Sequence, residues 1–437
     1  MNRGSRVYCI FVLIYFLLTT IYVFPLEAQT VKRTRLPNGL TIITKPARSN
    51  NIVSVVVTLK MGSLYETDDE AGLSTFMQDT VIKGTKTRTS EQIALEVESM
   101  GTLLSTSANR EYGGISLQST SESLYKSLDI LFDILCNATF PEDAVALQKN
   151  LQTRNILLRN DQPLYRAVDL MVEAHYGNHP FHKSRLGYPE TIDNITRDDI
   201  VTFYRTIYVP NNMVITVVGN FNEKRLISVI KEKLGGLPSG KEPDKVAGER
   251  DDYSSPVEKI EERDTAASWF ALGWPSASLV DPDYYTMEVL NSITGGSMNS
   301  RLFVAIREKR GLAYQVSSFV NARRESGIYA AYVGTKPSSY EEAKQVLIEE
   351  VRRMANDEAT PEEIKNTKSF LRGMNIMEQE SNSGQASKLG HYEILGVGYE
   401  FVDEFNEGIN KVTARDILKS GEKYLIKPYA LGGVLAK

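Results

Sequence analysis

Gly72–Thr85, GLSTFMQDTVIKGT, is the stretch on which the reading of this chain turns. It reads as a short helix that closes on a Lys83-Gly84-Thr85 turn. A helix turns once in about 3.6 residues, so Thr75 and Asp79, four apart, share one face, with Gln78 beside them. Upstream, NIVSVVVTLKMGS is a Val-rich strand that feeds the helix, and RTRLPNGLTIITKP has a turn at Pro37-Asn38-Gly39 followed by an alternating apolar run.

The wider block from Gly62, GSLYETDDEAGLSTFMQDTVIKGT, resembles the inverted-zincin site of the insulinase/pitrilysin-like metallopeptidases. In that family a helix carries H-x-x-E-H between a GS-x-x-E segment and a KGT turn. Two imidazoles four residues apart grip one zinc, and the Glu activates the bound water. Here Thr75 stands at the first His position, Gln78 at the Glu position and Asp79 at the second His position. The family's distal ligand is a Glu on a later helix; the matching helix LQKNLQTRNILLRNDQP places Asn155 there. Thr75, Asp79 and Asn155 offer one carboxylate and two weak neutral oxygens, and Gln78 cannot take a proton from water. The resemblance therefore implies a chain that binds no zinc and hydrolyses nothing alone.

The rest of the chain agrees with that frame. SEQIALEVESMG and TRDDIVTFYRTIY are helices with stop or cap signals, TLLSTSANREYGGISLQSTSES is a strand pair, and NMVITVVGNF is a strand. Helices and strands mix without strict alternation, an α+β pattern. GGLPSGKEPDKVAGERDDYSSPVEKIEERD, from Gly235, is rich in Gly, Pro and charge and reads as a linker with an entering strand. The second half then repeats the first. TPEEIKNTKSFLRGMNIMEQ answers FPEDAVALQKNLQTRNILLRN, and KVTARDILKSGEKYLIKPYALGGVLAK answers NITRDDIVTFYRTIYVPNNMVITVVGNF. The expected organisation is a leader over 1–28, a peptidase-like domain over 30–235 with the degenerate motif, a linker over 236–256, and a second peptidase-like domain over 257–437. Each domain, of about 200 residues, is expected to be a mostly antiparallel sheet covered by helices, the two forming half of a clamshell chamber as in the family.

Composition sets outer bounds. A chain of 437 residues with 42% hydrophobic and 24% charged residues has ample core material, and a net charge of −5 argues against a broad nucleic-acid surface. MNRGSR is basic, VYCIFVLIYFLLTTIYVF from Val7 to Phe24 is almost wholly apolar, and Ala28 offers a small residue for cleavage. That order reads as a secretory signal peptide, an uncleaved membrane anchor being the alternative. Export, to the periplasm, is the expectation. Cys9 lies in the leader, which leaves Cys136 alone in the remainder, without an internal disulfide partner. In DILFDILCNATF it reads as a small buried hydrophobe. The histidines of HYGNHPFH, His175, His179 and His182, lie in a loop-like segment and read as structural. No G-x-S-x-G or Cys–His arrangement suggests an autonomous hydrolase.

One piece of chemistry stays. SRLFVAIREKRGLAY, Ser300–Tyr314, resembles the family segment whose Arg and Tyr lie seven residues apart; here these are Arg307 and Tyr314. In family members this pair reaches across the chamber toward the zinc site of the opposite half and holds the substrate backbone. A guanidinium donates a planar fork of hydrogen bonds, and a phenol donates one directed bond to a developing oxyanion. The alternative is an Arg–Glu surface pair, with Glu308 or Glu288, and a core Tyr. The resemblance to bacterial heterodimeric members implies the Arg/Tyr subunit, with zinc on an H-x-x-E-H partner and peptides as substrates. A related arrangement is the mitochondrial processing peptidase, whose non-catalytic subunit uses a longer Gly-rich loop than GGSMNSRL here. The competing reading is a dead peptidase that binds peptides or scaffolds the cell envelope.

Overall fold

The computed structural model describes residues 30–248 and 253–437. The leader, its cleavage after Ala28, and residues 249–252 of the expected linker lie outside the described residues.

The first half holds strands β1 (Lys32–Arg35), β2 (Thr41–Pro46), β3 (Ile52–Lys60), β4 (Leu103–Ala108), β5 (Tyr112–Thr120) and β6 (Met213–Gly219). Its helices are α1 (Leu73–Thr80), α2 (Ser90–Ser99), α3 (Leu124–Asn137), α4 (Glu142–Asn160), α5 (Pro163–Tyr176), α6 (Pro189–Asn194), α7 (Arg197–Ile207) and α8 (Glu223–Leu234). The second half holds β7 (Val257–Arg263), β8 (Ser268–Ser276), β9 (Ala313–Ala322), β10 (Gly327–Thr335) and β11 (Ala430–Ala436). Its helices are α9 (Tyr284–Thr294), α10 (Tyr340–Arg353), α11 (Pro361–Glu378), α12 (Asn382–Ile394), α13 (Phe401–Lys411) and α14 (Ala414–Ser420).

The internal repeat is a repeat of topology. The first sheet runs β1-β2-β6-β3-β5-β4 and the second β7-β11-β8-β10-β9. In each, an early strand pairs parallel with the last strand of its half, β2 with β6 and β7 with β11. All other pairings are antiparallel. β6 (MVITVVG) is buried along its whole length, which is why its residues are apolar on both faces. β4 and β9 are the corresponding edge strands. The architecture is thus the α+β fold of two similar domains read from the sequence.

The halves are not independent. α5, from the first half, lies on β8 and β11 of the second sheet, and α12, from the second half, lies on β3 and β6 of the first. Each sheet therefore has one face closed by a helix from the other half. Met171 of α5 is fully buried with Ala271, Ile328 and Ala330, and Leu389 of α12 packs with Ile43, Val214 and Val218. Asn382, at the start of α12, donates to the Ile52 carbonyl of β3 at 2.8 Å. The linker also docks: the Val246 N–H donates to the Leu64 carbonyl.

Candidate functional site

α1 is positioned from its N-terminus. Gly72 has a φ of 94°, a conformation that glycine adopts at little cost, and a Cβ there would stand 2.6 Å from the Leu186 carbonyl oxygen. In place of a side-chain cap, the buried Glu66 of the GS-x-x-E segment accepts from the Gly72 N–H at 3.0 Å and the Ser74 N–H at 2.7 Å. Ser74 in turn accepts from the Gly62 N–H. Burial pushes the Glu66 carboxyl upward against these bonds. The frame around the motif is therefore fully built.

At the motif positions, hydrogen bonds to protein groups replace ligation. The Thr75 hydroxyl donates to the Arg185 carbonyl at 2.6 Å. Gln78 is completely buried; its amide donates to the Gly114 carbonyl of β5 at 2.6 Å and accepts from the Tyr208 hydroxyl at 2.8 Å. Asp79 accepts from the Gln148 amide at 3.0 Å, and burial raises its pKa. Gln152 donates to the Gly72 and Leu186 carbonyls. Asn155 is exposed on α4, one turn further along the face that carries Gln148 and Gln152. Those two glutamines escaped the sequence reading, although their i, i+4, i+7 spacing with Asn155 marks them.

A neutral amide serves Gln78 well because it can donate to one buried oxygen and accept from another, which a carboxylate cannot. Among the described residues no group of three His, Cys, Asp or Glu side chains could hold a metal ion. With one carboxylate, held by an amide, the donor set at Thr75, Asp79 and Asn155 does not fit zinc. The histidines are tied into the α5 terminus and its loop: His175 Nδ1 lies 3.0 Å from the Tyr253 hydroxyl, and His179 accepts from the Phe181 N–H. Cys136 is half-buried against the first core, and burial raises its thiol pKa.

Arg307 and Tyr314 lie on the other half. Arg307 sits in a wide helical turn over Phe303–Glu308, where the Lys309 N–H bonds to the Val304 carbonyl. Gly311, at a φ of 61°, reverses the chain into β9, whose second residue is Tyr314. Arg307 lies 5.3 Å from the centre of the Phe303 ring and makes no ion pair among the described residues. Tyr314 is 53% exposed. Neither the surface-pair reading nor the core-tyrosine reading describes these two side chains. Both face solvent, at the start of an edge strand.

Comparison with known proteins gives the family of both halves. Residues 41–188 match the family described as Insulinase (Peptidase family M16), and residues 194–371 match Peptidase M16 inactive domain. The chain is 28% identical over 403 residues to the uncharacterized zinc protease YmxG of Bacillus subtilis, covering 92% of this chain and 97% of that protein. It is 29% identical over 391 residues to an uncharacterized zinc protease of Rickettsia bellii, covering 89% and 93%. A protease from Helicobacter pylori superposes with a TM-score of 0.86 at 19% identity, covering 93% of this chain and 99% of that one. A peptidase M16 inactive domain from Pseudomonas fluorescens superposes with a TM-score of 0.86 at 21% identity, covering 93% and 98%. With both halves matched in order and the motif frame intact around a site that cannot ligate zinc, this chain belongs to the insulinase family of peptidases, M16, as a member whose own metal site is degenerate.

Proposed function

We propose that this chain is the non-zinc-binding subunit of an exported heterodimeric metallopeptidase. One observation carries the reading: the degenerate motif has been absorbed into the core through Gln78, while Arg307 and Tyr314 remain solvent-facing. The chain is inactive alone and closes a peptide chamber with a partner that carries H-x-x-E-H and zinc. The Arg307 guanidinium holds the substrate backbone, and the Tyr314 hydroxyl donates to the oxyanion formed when the partner's site attacks the peptide carbonyl. The exposed edge of β4, beside α1, suits a peptide added as an extra strand. The apolar leader supports export, with the periplasm as the compartment.

The test is a tagged pull-down from the native envelope, with the eluate assayed for chelator-sensitive cleavage of a quenched peptide. Cleavage with a co-eluting H-x-x-E-H chain is the expected result. An eluate of this chain alone, inert with or without zinc, overturns the subunit reading in favour of a peptide-binding or scaffold protein.

A further inference from the structure

A cavity of about 720 Å³ lies at the junction of the halves, within the size range of small-ligand pockets. One wall is the Asn109–Tyr112 turn between β4 and β5, a second is α5, and a third is β9 with β10. Four guanidinium groups line it, Arg110, Arg159, Arg185 and Arg323, against two carboxylates, Glu111 and Asp169. The Arg159–Asp169 pair cancels itself through two bonds, at 2.7 and 2.8 Å. Glu111 makes no ion pair among the described residues; its buried carboxylate accepts the Arg324 N–H at 3.3 Å and lies within electrostatic reach of Arg323, whose charge it offsets in part.

The positive charge that remains has no hydrogen-bonded carboxylate partner among the described residues. Arg323 sits in the turn between β9 and β10, its backbone fixed by bonds to Leu279 and Ser326. Its guanidinium lies 4.5 Å over the Phe181 ring and makes no hydrogen bond or ion pair among the described residues; its Nε is buried without a partner. Arg110 approaches the same Phe181 from the first half and donates to its carbonyl at 2.7 Å and to the Lys183 carbonyl. Burial, and then the neighbouring Arg323 charge, hold the Arg110 pKa down, to about 10. Arg185 reaches only the Ala108 carbonyl, at 3.5 Å. Arg185 is exposed and Arg110 and Arg323 are half-buried; a partly buried cation without an ion-pair partner forfeits part of its hydration. Beside them the cavity presents Tyr165, Phe319 and Ile328.

We propose that this cavity is a carboxylate-binding subsite, with Arg323 as its principal donor, and that it takes a carboxylate carried by a peptide. The planar fork of Arg matches the two oxygens of a carboxylate. The apolar wall favours an organic anion over free phosphate, which would leave that wall uncovered. Because Arg323 comes from one half and Arg110 and Arg185 from the other, the site exists only when the halves are docked. As a substrate subsite it rests on the peptidase-subunit reading; as a binding site it does not, and its test needs no partner.

The test is fluorescence anisotropy of labelled short peptides on the purified chain alone. Three probes are compared: a neutral peptide with a free C-terminus, the same peptide amidated, and the amidated peptide with one internal Glu. One or both carboxylate-bearing probes should bind about tenfold tighter than the neutral amide. Whichever does so names the source, chain end or side chain. Arg323→Ala should remove the difference, and Arg323→Lys, which keeps the charge without the fork, should reduce it. Arg205→Ala, on the exposed face of α7, should leave it unchanged. Matched melting temperatures show that the variants fold. Equal affinity for all three probes, or full discrimination in folded Arg323→Lys and Arg323→Ala, overturns the proposal. So does inorganic phosphate that binds in an Arg323-dependent way while the peptides do not.

Discussion

Gly432 of β11 lies so close under Ala167 of α5 that a Cβ at 432 would sit inside contact distance of the Ala167 carbonyl oxygen and the Met171 nitrogen. This is how a helix of the first half reaches the sheet of the second. The other exchanged helix uses the same device from its own side: a Cβ on Gly390 of α12 would stand 2.7 Å from Thr58 Oγ1 and 3.0 Å from Thr216 Oγ1. Gly432→Ala should therefore push α5 off its sheet. The obstacle is backbone, so relief requires the helix to move, and the expected cost is about 1–3 kcal/mol or more. Urea unfolding checks it; an unchanged midpoint would show that the helix seats elsewhere.

Gln78→Glu, the first step toward restoring the family's general base, should destabilise this chain. It sets a carboxylate against the Gly114 carbonyl and removes the donor that satisfied it. The expected loss is about 1–3 kcal/mol. Burial would raise the new carboxyl's pKa, so the loss should grow as pH climbs from the ordinary carboxyl value to the raised one and level off above it. Equal stability of wild type and variant at all pH values would mean that the buried amide is not structural.

Zinc restoration should need more than the helix motif. Thr75→His with Asp79→His adds two imidazoles, but Thr75 currently ties the Arg185 carbonyl and Asp79 receives Gln148. The double variant should gain little zinc affinity until Asn155→Glu supplies a third ligand. Calorimetric titration with zinc reads this directly; tight binding by the double variant alone would contradict it.

Two half-buried groups give opposite pH responses. His391 of α12 packs edge-on to Tyr112 of the first half at 4.4 Å, and burial, then the Lys388 charge, lowers its pKa from 6.5 to about 4. The unfolded chain takes up this proton first, so stability falls as pH drops from 6.5 toward 4. Glu288 of α9 is raised from 4.5 to about 7, by burial and then by Glu378, so stability falls as pH climbs through that range. His391→Gln should flatten the acid limb of a stability–pH curve and Glu288→Gln the neutral limb. Unaltered limbs would remove these residues from the account.

Tyr314→Phe in the assembled peptidase should lower kcat about 10²–10³-fold with little change in assembly, as loss of one oxyanion donor does elsewhere. Arg307→Ala should act more on KM, since the role proposed for it is to hold the substrate backbone. A fully active Tyr314→Phe complex would refute the role given to the phenol.

Much of this was legible along the chain. Helix caps, turn residues and apolar runs act over a few residues, so the strands, the helices and the duplicated order could be read from local pattern. The loss of metal chemistry was legible for the same reason: His and Glu are simply not at positions 75, 78, 79 and 155. What replaced that chemistry was not. Gln78 meets Gly114 and Tyr208 across 36 and 130 residues, and no local spacing encodes those bonds. The exchange of α5 and α12 between the halves, and the meeting of Arg323 with Arg110 over Phe181, likewise depend on how two sheets dock. Burial and charge neighbourhood are properties of that packing, so the basic cavity between the halves came into view only with the folded chain.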